Sequence, residues 1–450
     1  MSNQKQLFGT NGVRGVIGET MTPELVLKIG AALGTLRKGR IAVGRDTRTS
    51  GEALVHAVKA GLLMVGCDVV DLGVLPTPAL QYIVRRHFDG GAVITASHNP
   101  PEYNGVKIID ADGTEMSDED TIAVENLYFS GTFAGSSWDG VGSEVVAHHM
   151  VEEYIQGIVD LFPPGIGTGM TVVVDPGSGP AALTTPLILS RMGCRVHTIN
   201  AQMDGTFPGR LPEPTPEGLA GLSEMVKSLG ADYGVAHDGD ADRAVFVDDK
   251  GQYVEENHEF ALITDYVCKQ RKGIVVTPVS TSRIIEDVAG ANGCSTEYTP
   301  VGSIYVARRM LGLIEDGVSV AFGGEGNGGL IYPDHQFCRD GGMTAATMVA
   351  VLASRQGEKL STVLGGLPAY HFIKEKQMTP EPAAIVRAVD AAFPDDRKDR
   401  TDGIKIVRDD AWALVRASGT EPMVRIMVES RDKTVAETLY RSIRQVIGTG

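Results

Sequence analysis

The segment DGDADR carries three aspartates at alternate positions, Asp238, Asp240 and Asp242. In an extended loop alternate side chains point the same way, so the three carboxylates can reach one cation. A set of oxygen ligands favours Mg²⁺ or Ca²⁺ over zinc. An EF-hand loop would need Gly and Glu where Arg243 and Asp249 stand, which excludes that class. A solvated acidic turn is the alternative, but three crowded carboxylates without a cation would repel one another. Arg243, next to them in the sequence, is suited to bind phosphate oxygens.

The segment TASHNPP places Ser97 just past a predicted buried strand. A serine exposed at such a point can act as a nucleophile or carry a phosphate. His98 and Asn99 follow it directly and can position its oxygen. The alternative is a helix N-cap or a turn, since the dipeptide Asn-Pro is typical of turns.

Two further glycine-rich segments carry polar side chains suited to a ligand. GGEGNGG, residues 323–329, sets Glu325 and Asn327 among glycines, which let a ligand approach the main chain closely; a flexible hairpin is the alternative. RASGTEP, residues 416–422, combines hydroxyls, a glycine and an arginine in a tight loop that can form a phosphate nest; a surface turn is the alternative. The residues of interest in this segment are Arg416, Ser418, Gly419 and Thr420, with Arg425 nearby.

Short apolar strands that alternate with amphipathic helices position these loops. Strands are predicted at 92–95, 233–237 and 318–322, each directly before one of the first three loops, and a helix at 22–37 begins with Thr-Pro. This alternation predicts βαβ units, whose ligands bind beyond the carboxyl ends of the strands. After residue 367 the pattern changes to strands at 369–376, 412–416 and 424–428 and a helix at 433–446, which predicts a smaller α+β unit. Four domains that face one cleft are therefore expected.

Composition limits the class of partner and the compartment. The 450-residue chain has a formal net charge of -16, which argues against nucleic-acid and membrane partners. This net charge does not exclude a locally basic cleft for a phosphorylated substrate. Its five cysteines form no C-x-x-C pair, and the N-terminus has no signal-peptide core. No stretch approaches the roughly 20 apolar residues of a membrane span. These features predict a cytoplasmic protein.

Together and in this order, the segments TASHNP, DGDADR, GEGNG and RASGTEP resemble the motifs of the α-D-phosphohexomutase superfamily, and the resemblance runs from residue 9 to residue 422. It implies three related α/β domains with mixed sheets and a smaller C-terminal α+β domain, in a heart shape around a central cleft. We expect domain I at 1–148 with the phosphoserine loop and domain II at 149–252 with the metal loop. Domain III is expected at 253–367 with the sugar loop, and domain IV at 368–450 with the phosphate loop.

The resemblance also implies the roles of individual residues. Ser97 resembles the phosphoserine, and its phosphoryl oxygen would join Asp238, Asp240 and Asp242 as ligands of Mg²⁺. The expected catalytic residues are Ser97, Lys107, Arg243, His98, Arg14 and His335. The expected substrate-binding residues are Glu325, Asn327, Arg416, Ser418, Gly419, Thr420 and Arg425.

The sugar loop departs from the family pattern at two positions, Gly329 and Asn327, of which Asn327 replaces a serine. Related bacterial mutases often place a histidine at the end of the sugar loop, where this chain has Gly329. His335, six residues further on, is expected either to take over proton transfer or to be structural. Lys107, in NGVKI, resembles a lysine proposed for acid/base work.

The implied activity is a phosphohexomutase that works through a phosphoserine and a sugar 1,6-bisphosphate, which would also serve as activator. GTNGVRG and the sugar loop look most like archaeal members of the superfamily. Among these, the favoured expectation is a phosphoglucosamine mutase, which interconverts glucosamine 6-phosphate and glucosamine 1-phosphate. A phosphomannomutase or phosphoglucomutase of mixed specificity is the first alternative. A non-catalytic phosphosugar-binding protein and a phosphatase are the others. The oligomeric state stays open, with a homodimer as one alternative.

Overall fold

The computed structural model describes residues 5–9, 12–418 and 422–448. The chain divides into two compact units, Met1–Glu259 with Asn327–Gly365, and Phe260–Gly326 with Gly366–Gly450. None of the described helices combines the length and the apolar character needed to cross a bilayer.

The first unit begins with a six-stranded mixed sheet in the order β1-β5-β4-β2-β3-β6. Its central strands run parallel, whereas β5 is antiparallel to both of its neighbours. The strands are β1 (Val13–Val16), β2 (Arg40–Arg45), β3 (Asp68–Val74), β4 (Gly90–Ile94), β5 (Tyr103–Asp110) and β6 (Glu144–Val146). The helices are α1 (Pro23–Arg37), α2 (Gly51–Met64), α3 (Thr77–His87) and α4 (Asp118–Ser130).

The predicted helix at 22–37 is confirmed, because α1 begins after the Thr22 cap, whose side chain accepts a hydrogen bond from the Leu25 amide. Pro23 at the first helical position suits this start, because its missing N–H would have no partner there. The apolar face of α1 packs with the sheet in a core that includes Val26, Ile29 and Leu33.

The first unit also contains a second mixed sheet, of four strands in the order β10-β9-β7-β8. Its strands are β7 (Thr171–Asp175), β8 (Arg195–Thr198), β9 (Tyr233–His237) and β10 (Ala244–Val247). The helices around it are α5 (Val151–Val159), α6 (Thr185–Arg191) and α7 (Ala220–Leu229), with short 3₁₀ turns at His148–Met150, Pro180–Leu183 and Glu217–Leu219. β7 lies parallel to β8 and β9, and β10 returns antiparallel to β9.

Helix α8 (Glu256–Gln270) begins in the first unit and ends in the second. In the second unit, β11 (Ile274–Pro278) pairs in parallel with β12 (Ser295–Thr299) and β13 (Val320–Glu325). Helices α9 (Ile284–Ala291) and α10 (Ser303–Glu315) lie between these strands in the chain. The chain then returns to the first unit for β14 (Gly329–Ile331), α11 (Gly341–Ser354) and α12 (Leu360–Leu364). α11 is buried almost throughout.

The C-terminal part of the second unit is a five-stranded antiparallel sheet in the order β15-β19-β18-β17-β16. Its strands are β15 (His371–Met378), β16 (Arg397–Asp399), β17 (Ile404–Val407), β18 (Ala411–Ala417) and β19 (Met423–Ser430). Helices α13 (Pro382–Ala392) and α14 (Lys433–Ile447) cover one face. The prediction of α/β domains with mixed sheets followed by a smaller α+β domain is confirmed, whereas the four domain boundaries stay a prediction.

Candidate active site

Ser97 lies in the loop that follows β4, and its side chain is buried. The residue has a φ of 50°, in the left-handed region that non-glycine residues adopt rarely. Its amide donates to Thr95 Oγ1 at 2.9 Å, which fixes this turn. A strained backbone held in place by its surroundings is often found where a reactive side chain must point in one direction.

Arg48 holds the whole serine loop through main-chain oxygens. Its guanidinium, which is almost fully buried, donates to four carbonyls at 2.6–2.8 Å. These carbonyls belong to Ser97, Asn99, Pro100 and Tyr103. The fully buried Asp46 accepts from Arg48 Nε at 3.1 Å and from Thr95 Oγ1 at 2.7 Å. The sequence interpretation missed this pair, although an Asp and an Arg in GRDTR, just after the short apolar run at 41–43, are a signal that could have revealed it.

The three aspartates lie in the connection between β9 and β10, which reverses the chain direction. All three are buried, and one ligand oxygen from each lies within 4.8 Å of those of the other two. Ser97 Oγ donates to Asp238 Oδ2 at 2.8 Å, so the serine loop and the acidic loop meet. Gly239 permits this approach, because a Cβ there would lie 2.4 Å from the Ser97 carbonyl oxygen.

Lys107 projects from β5 into the same cluster and is also buried. Its ammonium donates to Asp240 Oδ2 at 2.8 Å and to Asp242 Oδ2 at 3.1 Å. Burial opposes charge on Lys107, but the two carboxylates outweigh burial and raise its pKa. Lys107 is therefore a counter-ion of the aspartates in this form, and its acid/base role stays a prediction.

Two residues that the sequence interpretation missed orient the aspartates. Thr77, the first residue of α3, donates through Oγ1 to Asp240 Oδ2 at 2.7 Å and through its amide to the Asp240 carbonyl at 3.0 Å. Arg339 Nη2 donates to Asp242 Oδ2 at 2.5 Å. Their distance from the acidic loop in the sequence leaves no local signal for either contact.

The donor set fits a divalent cation. Asp240 Oδ1 and Asp242 Oδ1 are buried and have no hydrogen-bond partner in the part of the chain that the structure describes. Such oxygens are costly unless something positive meets them, and hard cations such as Mg²⁺ prefer carboxylate oxygens. Burial and the neighbouring charge of Asp242 raise the pKa of Asp238 to about 7. Burial would also raise the pKa of Asp242, but Arg339 and Lys107 lower it.

Arg243 connects the acidic loop to His98. Its Nε donates to Asp238 Oδ2 at 3.2 Å, its Nη1 donates to Glu213 Oε1 at 3.1 Å, and its Nη2 lies against His98 Nδ1. Partial burial and the adjacent Arg243 lower the pKa of His98 to about 2, so the ring is neutral and accepts from Arg243. His98 Nδ1 also lies 3.5 Å from Ser97 Oγ.

Arg14, on β1, contacts the serine loop. Its Nη1 donates to Asn99 Oδ1 at 3.0 Å. The first unit thus brings together seven of the predicted residues around one point and places Arg14 at the loop beside them. The seven are Ser97, His98, Lys107, Asp238, Asp240, Asp242 and Arg243.

His335 has a different setting, within a packed polar group of the first unit. Its ring stacks on Tyr82 with centroids 4.6 Å apart, and its Nε2 lies 3.2 Å from Asp340 Oδ2. Asp340 also caps α11 by accepting from the Met343 amide at 2.9 Å. These contacts favour a structural role, and proton transfer by His335 stays a prediction.

The predicted sugar loop is divided between the units. Glu325 ends β13 in the second unit and is buried. Asn327 belongs to the first unit, where its Oδ1 accepts from the Gly329 amide at 3.1 Å. Gly328 has a φ of 81°, and a Cβ there would lie 2.4 Å from the Ala244 carbonyl, so glycine is required at this turn.

The predicted phosphate loop lies in the second unit between β18 and β19. Arg416 and Arg425 are directly opposite each other across these antiparallel strands, and Arg416 Nε lies 3.1 Å from Asp402 Oδ2. The Ser418 amide donates to the Met423 carbonyl at 2.9 Å, which closes the base of the loop. Gly419 and Thr420 lie outside the described residues.

The sequence matches four domain families in order. Residues 5–135, 152–251 and 255–370 match the α/β/α domains I, II and III of phosphoglucomutase/phosphomannomutase, and residues 375–446 match its C-terminal domain.

Relatives span almost the whole chain. A protein of Thermococcus kodakarensis named phosphoglucomutase/phosphomannomutase is 45% identical, with 96% of each chain covered. A phosphoglucosamine/phosphogalactosamine mutase of Sulfurisphaera tokodaii is 40% identical, with 98% of this chain and 99% of the relative covered. Among solved structures, a phosphoglucomutase/phosphomannomutase family protein from Burkholderia thailandensis is similar, with a TM-score of 0.87 and 25% identity, over 97% of this chain and 96% of the other.

Proposed function

The chain belongs to the phosphoglucomutase/phosphomannomutase family of α-D-phosphohexomutases, and from this premise we propose that it interconverts glucosamine 6-phosphate and glucosamine 1-phosphate. Its class is that of an isomerase with phosphohexomutase activity. The choice of sugar rests on the resemblance of its loops to archaeal members of the superfamily, among which we favour the phosphoglucosamine mutases. The name of the Sulfurisphaera relative supports this choice.

The observation that carries the proposal is the hydrogen bond of 2.8 Å from Ser97 Oγ to Asp238. It places a buried hydroxyl on a left-handed turn, directly against a three-carboxylate site. A protein that only bound sugar phosphates would have no need of this combination. We infer that Ser97 carries the phosphoryl group and transfers it to the free hydroxyl of the sugar.

Asp238, Asp240 and Asp242 would hold Mg²⁺, which would neutralise charge on the phosphoryl group. Arg243 points its guanidinium at the same point and would contact the phosphoryl oxygens. Neutral His98 keeps Arg243 in this orientation by accepting from Nη2. Arg48 fixes the Ser97 main chain, so the hydroxyl oxygen does not have to be repositioned between the two transfers.

The reaction takes place in two transfers. Ser97 gives its phosphoryl group to the monophosphate and forms a sugar 1,6-bisphosphate. The bisphosphate turns over and returns its other phosphoryl group to Ser97. Glu325 and Asn327 would form hydrogen bonds with the sugar hydroxyls. The phosphate that is not reacting would be bound by Arg416, Ser418, Gly419, Thr420 and Arg425.

A second candidate is a phosphoglucomutase/phosphomannomutase of mixed specificity, because the Thermococcus relative carries that name at 45% identity. We also propose that the enzyme acts in the cytoplasm and uses sugar 1,6-bisphosphate as activator. A homodimer is one oligomeric state to test by light scattering.

The test is a mutase assay with Mg²⁺ and matched bisphosphate, with glucosamine 6-phosphate, glucose 1-phosphate and mannose 1-phosphate run in parallel. The proposal expects the amino sugar to be converted fastest and Ser97→Ala to be inactive. Ser228→Ala is the matched control and should keep full activity. Ser228 is an exposed hydroxyl on α7 whose hydrogen bond, among the described residues, goes to the Met225 carbonyl of the same helix. Comparable turnover of the neutral sugars would favour the second candidate, and hydrolysis of the bisphosphate without isomerisation would indicate a phosphatase.

A further inference from the structure

Glu213 faces both Arg243 and His98 beside the serine loop. Its Oε1 accepts from Arg243 Nη1 at 3.1 Å, and its Oε2 lies 3.6 Å from His98 Nε2. Arg243 Nη2 in turn lies against His98 Nδ1, which is 3.5 Å from Ser97 Oγ. Glu213, Arg243 and His98 therefore each contact the other two, next to the nucleophile, and we call them the contact triangle.

Glu213 fixes the rotation of the Arg243 guanidinium. This group is planar and rigid, so acceptors at two of its nitrogens set its orientation. One acceptor is Asp238 Oδ2, 3.2 Å from Nε, and the other is Glu213 at Nη1. Without Glu213 the guanidinium would be free to pair with Asp238 through two parallel N–H groups, the geometry that arginine and carboxylate prefer. That pairing would engage a carboxylate that the proposed metal needs.

Glu213 also bears on the position of the proton in the His98 ring. An arginine side chain has donors only, so His98 Nδ1 accepts from Arg243 and the proton of the neutral ring is on Nε2. This Nε2 faces Glu213 Oε2 at 3.6 Å, which is too long for a direct hydrogen bond. The negative charge at this distance still favours an N–H on that side of the ring. Glu213 thus favours the tautomer that accepts from Arg243.

The chain segment that carries Glu213 is tied to the base of the acidic loop. Arg210, three residues before Glu213, is buried and forms an ion pair of 2.9 Å with the buried Asp175. Its Nη2 donates to the His237 carbonyl at 2.6 Å, directly before Asp238. These contacts fix the main chain from which the Glu213 side chain projects.

The same segment also contacts Arg48, which holds the serine loop. The Phe207 ring centre lies 5.4 Å from the Arg48 guanidinium carbon, and Gly205 forms an isolated β-bridge with Arg48. A Cβ on Gly205 would lie 2.3 Å from the Thr47 carbonyl oxygen, so the two main chains are in close contact there. Residues 205–213 therefore keep a constant position relative to both loops of the candidate active site.

We propose that Glu213 is a positioning residue for phosphoryl transfer, which holds Arg243 and His98 in the orientation that serves Ser97; the inference rests on the proposed function. Glu213 acts through the other two members of the contact triangle and takes no part in the transfer itself. Arg243 has more N–H groups than its contacts with protein use, so it can donate to phosphoryl oxygens while Glu213 still holds it.

The first test compares the kinetics of Glu213→Gln and Glu213→Ala, with glucosamine 6-phosphate, Mg²⁺ and glucose 1,6-bisphosphate. Glutamine keeps an acceptor for Arg243 but loses the charge, so kcat should fall about tenfold, and alanine should lower kcat about 100-fold. KM should stay within about twofold, because Arg243 would meet the phosphoryl group on Ser97 rather than the incoming sugar. Glu217→Gln is the matched control and should keep full activity, since Glu217 is exposed and begins the 3₁₀ turn Glu217–Leu219.

The second test follows the proton of His98 and does not depend on turnover. Nitrogen-15 NMR of labelled imidazole rings distinguishes Nε2–H from Nδ1–H, and the signal that is lost in His98→Gln belongs to this ring. We expect the Nε2–H form in wild type and in Glu217→Gln. Glu213→Ala should show a mixture of both tautomers, because Arg243 would turn toward Asp238 and leave Nδ1.

Each outcome bears on one proposal. A kcat of Glu213→Ala within threefold of wild type, or an unchanged His98 tautomer in that variant, would overturn the role of Glu213 while leaving the mutase activity intact. Glutamine matches glutamate in size, so the tenfold loss in Glu213→Gln tests the role even where the alanine variant does not fold. A wild-type enzyme that converts none of the three sugar phosphates would overturn the proposed function itself.

Discussion

Gly239 offers the sharpest perturbation of the active site, because it controls how closely the acidic loop approaches the serine loop. An alanine Cβ at this position would lie 2.4 Å from the Ser97 carbonyl oxygen, about 1 Å short of an ordinary contact at 3.4 Å. The clashing atom is main chain, which Arg48 holds through a hydrogen bond of 2.7 Å. We therefore expect Gly239→Ala to separate Ser97 from the aspartates by roughly 1 Å rather than to shift one side chain.

A misplacement of about 1 Å in a positioned reaction costs on the order of 100-fold in rate, or about 2.7 kcal/mol of activation free energy. The backbone of Gly239 lies outside the left-handed region, so alanine adds no conformational strain of its own. Overpacking should lower the free energy of unfolding by about 1–3 kcal/mol, and a domain of this size should remain folded. The loss in kcat should thus be seen in folded protein.

The assay is kcat for the preferred sugar phosphate with saturating Mg²⁺ and bisphosphate, together with the melting temperature. Gly221→Ala is the matched control, because its nearest neighbour would be Ile199 Cδ1 at 3.9 Å and it lies within helix α7. It should keep full activity and gain about 0.5–1 kcal/mol of stability. If Gly239→Ala turned over within threefold of wild type, the close approach of the two loops would not set the reaction geometry.

Two further predictions concern groups around the site. Thr77→Val removes the hydroxyl that donates to Asp240 Oδ2 and should weaken Mg²⁺ binding about tenfold. Mn²⁺ paramagnetic resonance and Mg²⁺-dependent melting measure the affinity. An unchanged affinity would show that Thr77 does not orient Asp240 as a metal ligand. Glu259 is fully buried, both of its oxygens lack a hydrogen-bond partner among the described residues, and burial raises its pKa well above the ordinary value. Glu259 therefore keeps its proton in the native state, whereas the unfolded state releases that proton once the pH exceeds the unfolded pKa. Above that pH the free energy of unfolding falls, by at most about 1.4 kcal/mol per pH unit from this residue. Glu259→Gln should remove that slope between pH 5 and pH 8 in urea unfolding, and parallel curves for the variant and wild type would contradict it.

Much of the site was accessible from the sequence because its chemistry lies in short local patterns. The alternation of Asp238, Asp240 and Asp242 after a buried strand predicted one cluster, and the structure brings their oxygens within 4.8 Å of one another. The start of α1 was predicted because its capping residues are adjacent in the sequence. The strands that precede the serine and acidic loops were predicted because their apolar runs are uninterrupted.

What the sequence did not reveal depends on partners far away in the chain. Strand β5 was not predicted, because Lys107 interrupts its apolar pattern and the carboxylate that offsets the charge is 133 residues away. Helix α11 was not predicted either, because its residues are apolar or small on every side and so show no helical period. Arg48 was missed because four of its partners are main-chain carbonyls, which leave no pattern of residue types.

The most direct test of the account is the location of the phosphoryl group on the enzyme. The full-length protein would be incubated with glucose 1,6-bisphosphate and Mg²⁺, digested and mapped by tandem mass spectrometry, with Ser97→Ala treated in parallel. The account predicts a single phosphoryl group on Ser97, which is removed when excess sugar monophosphate is added, and none on the variant. A phosphoryl group on another residue, or continued turnover by Ser97→Ala, would contradict it.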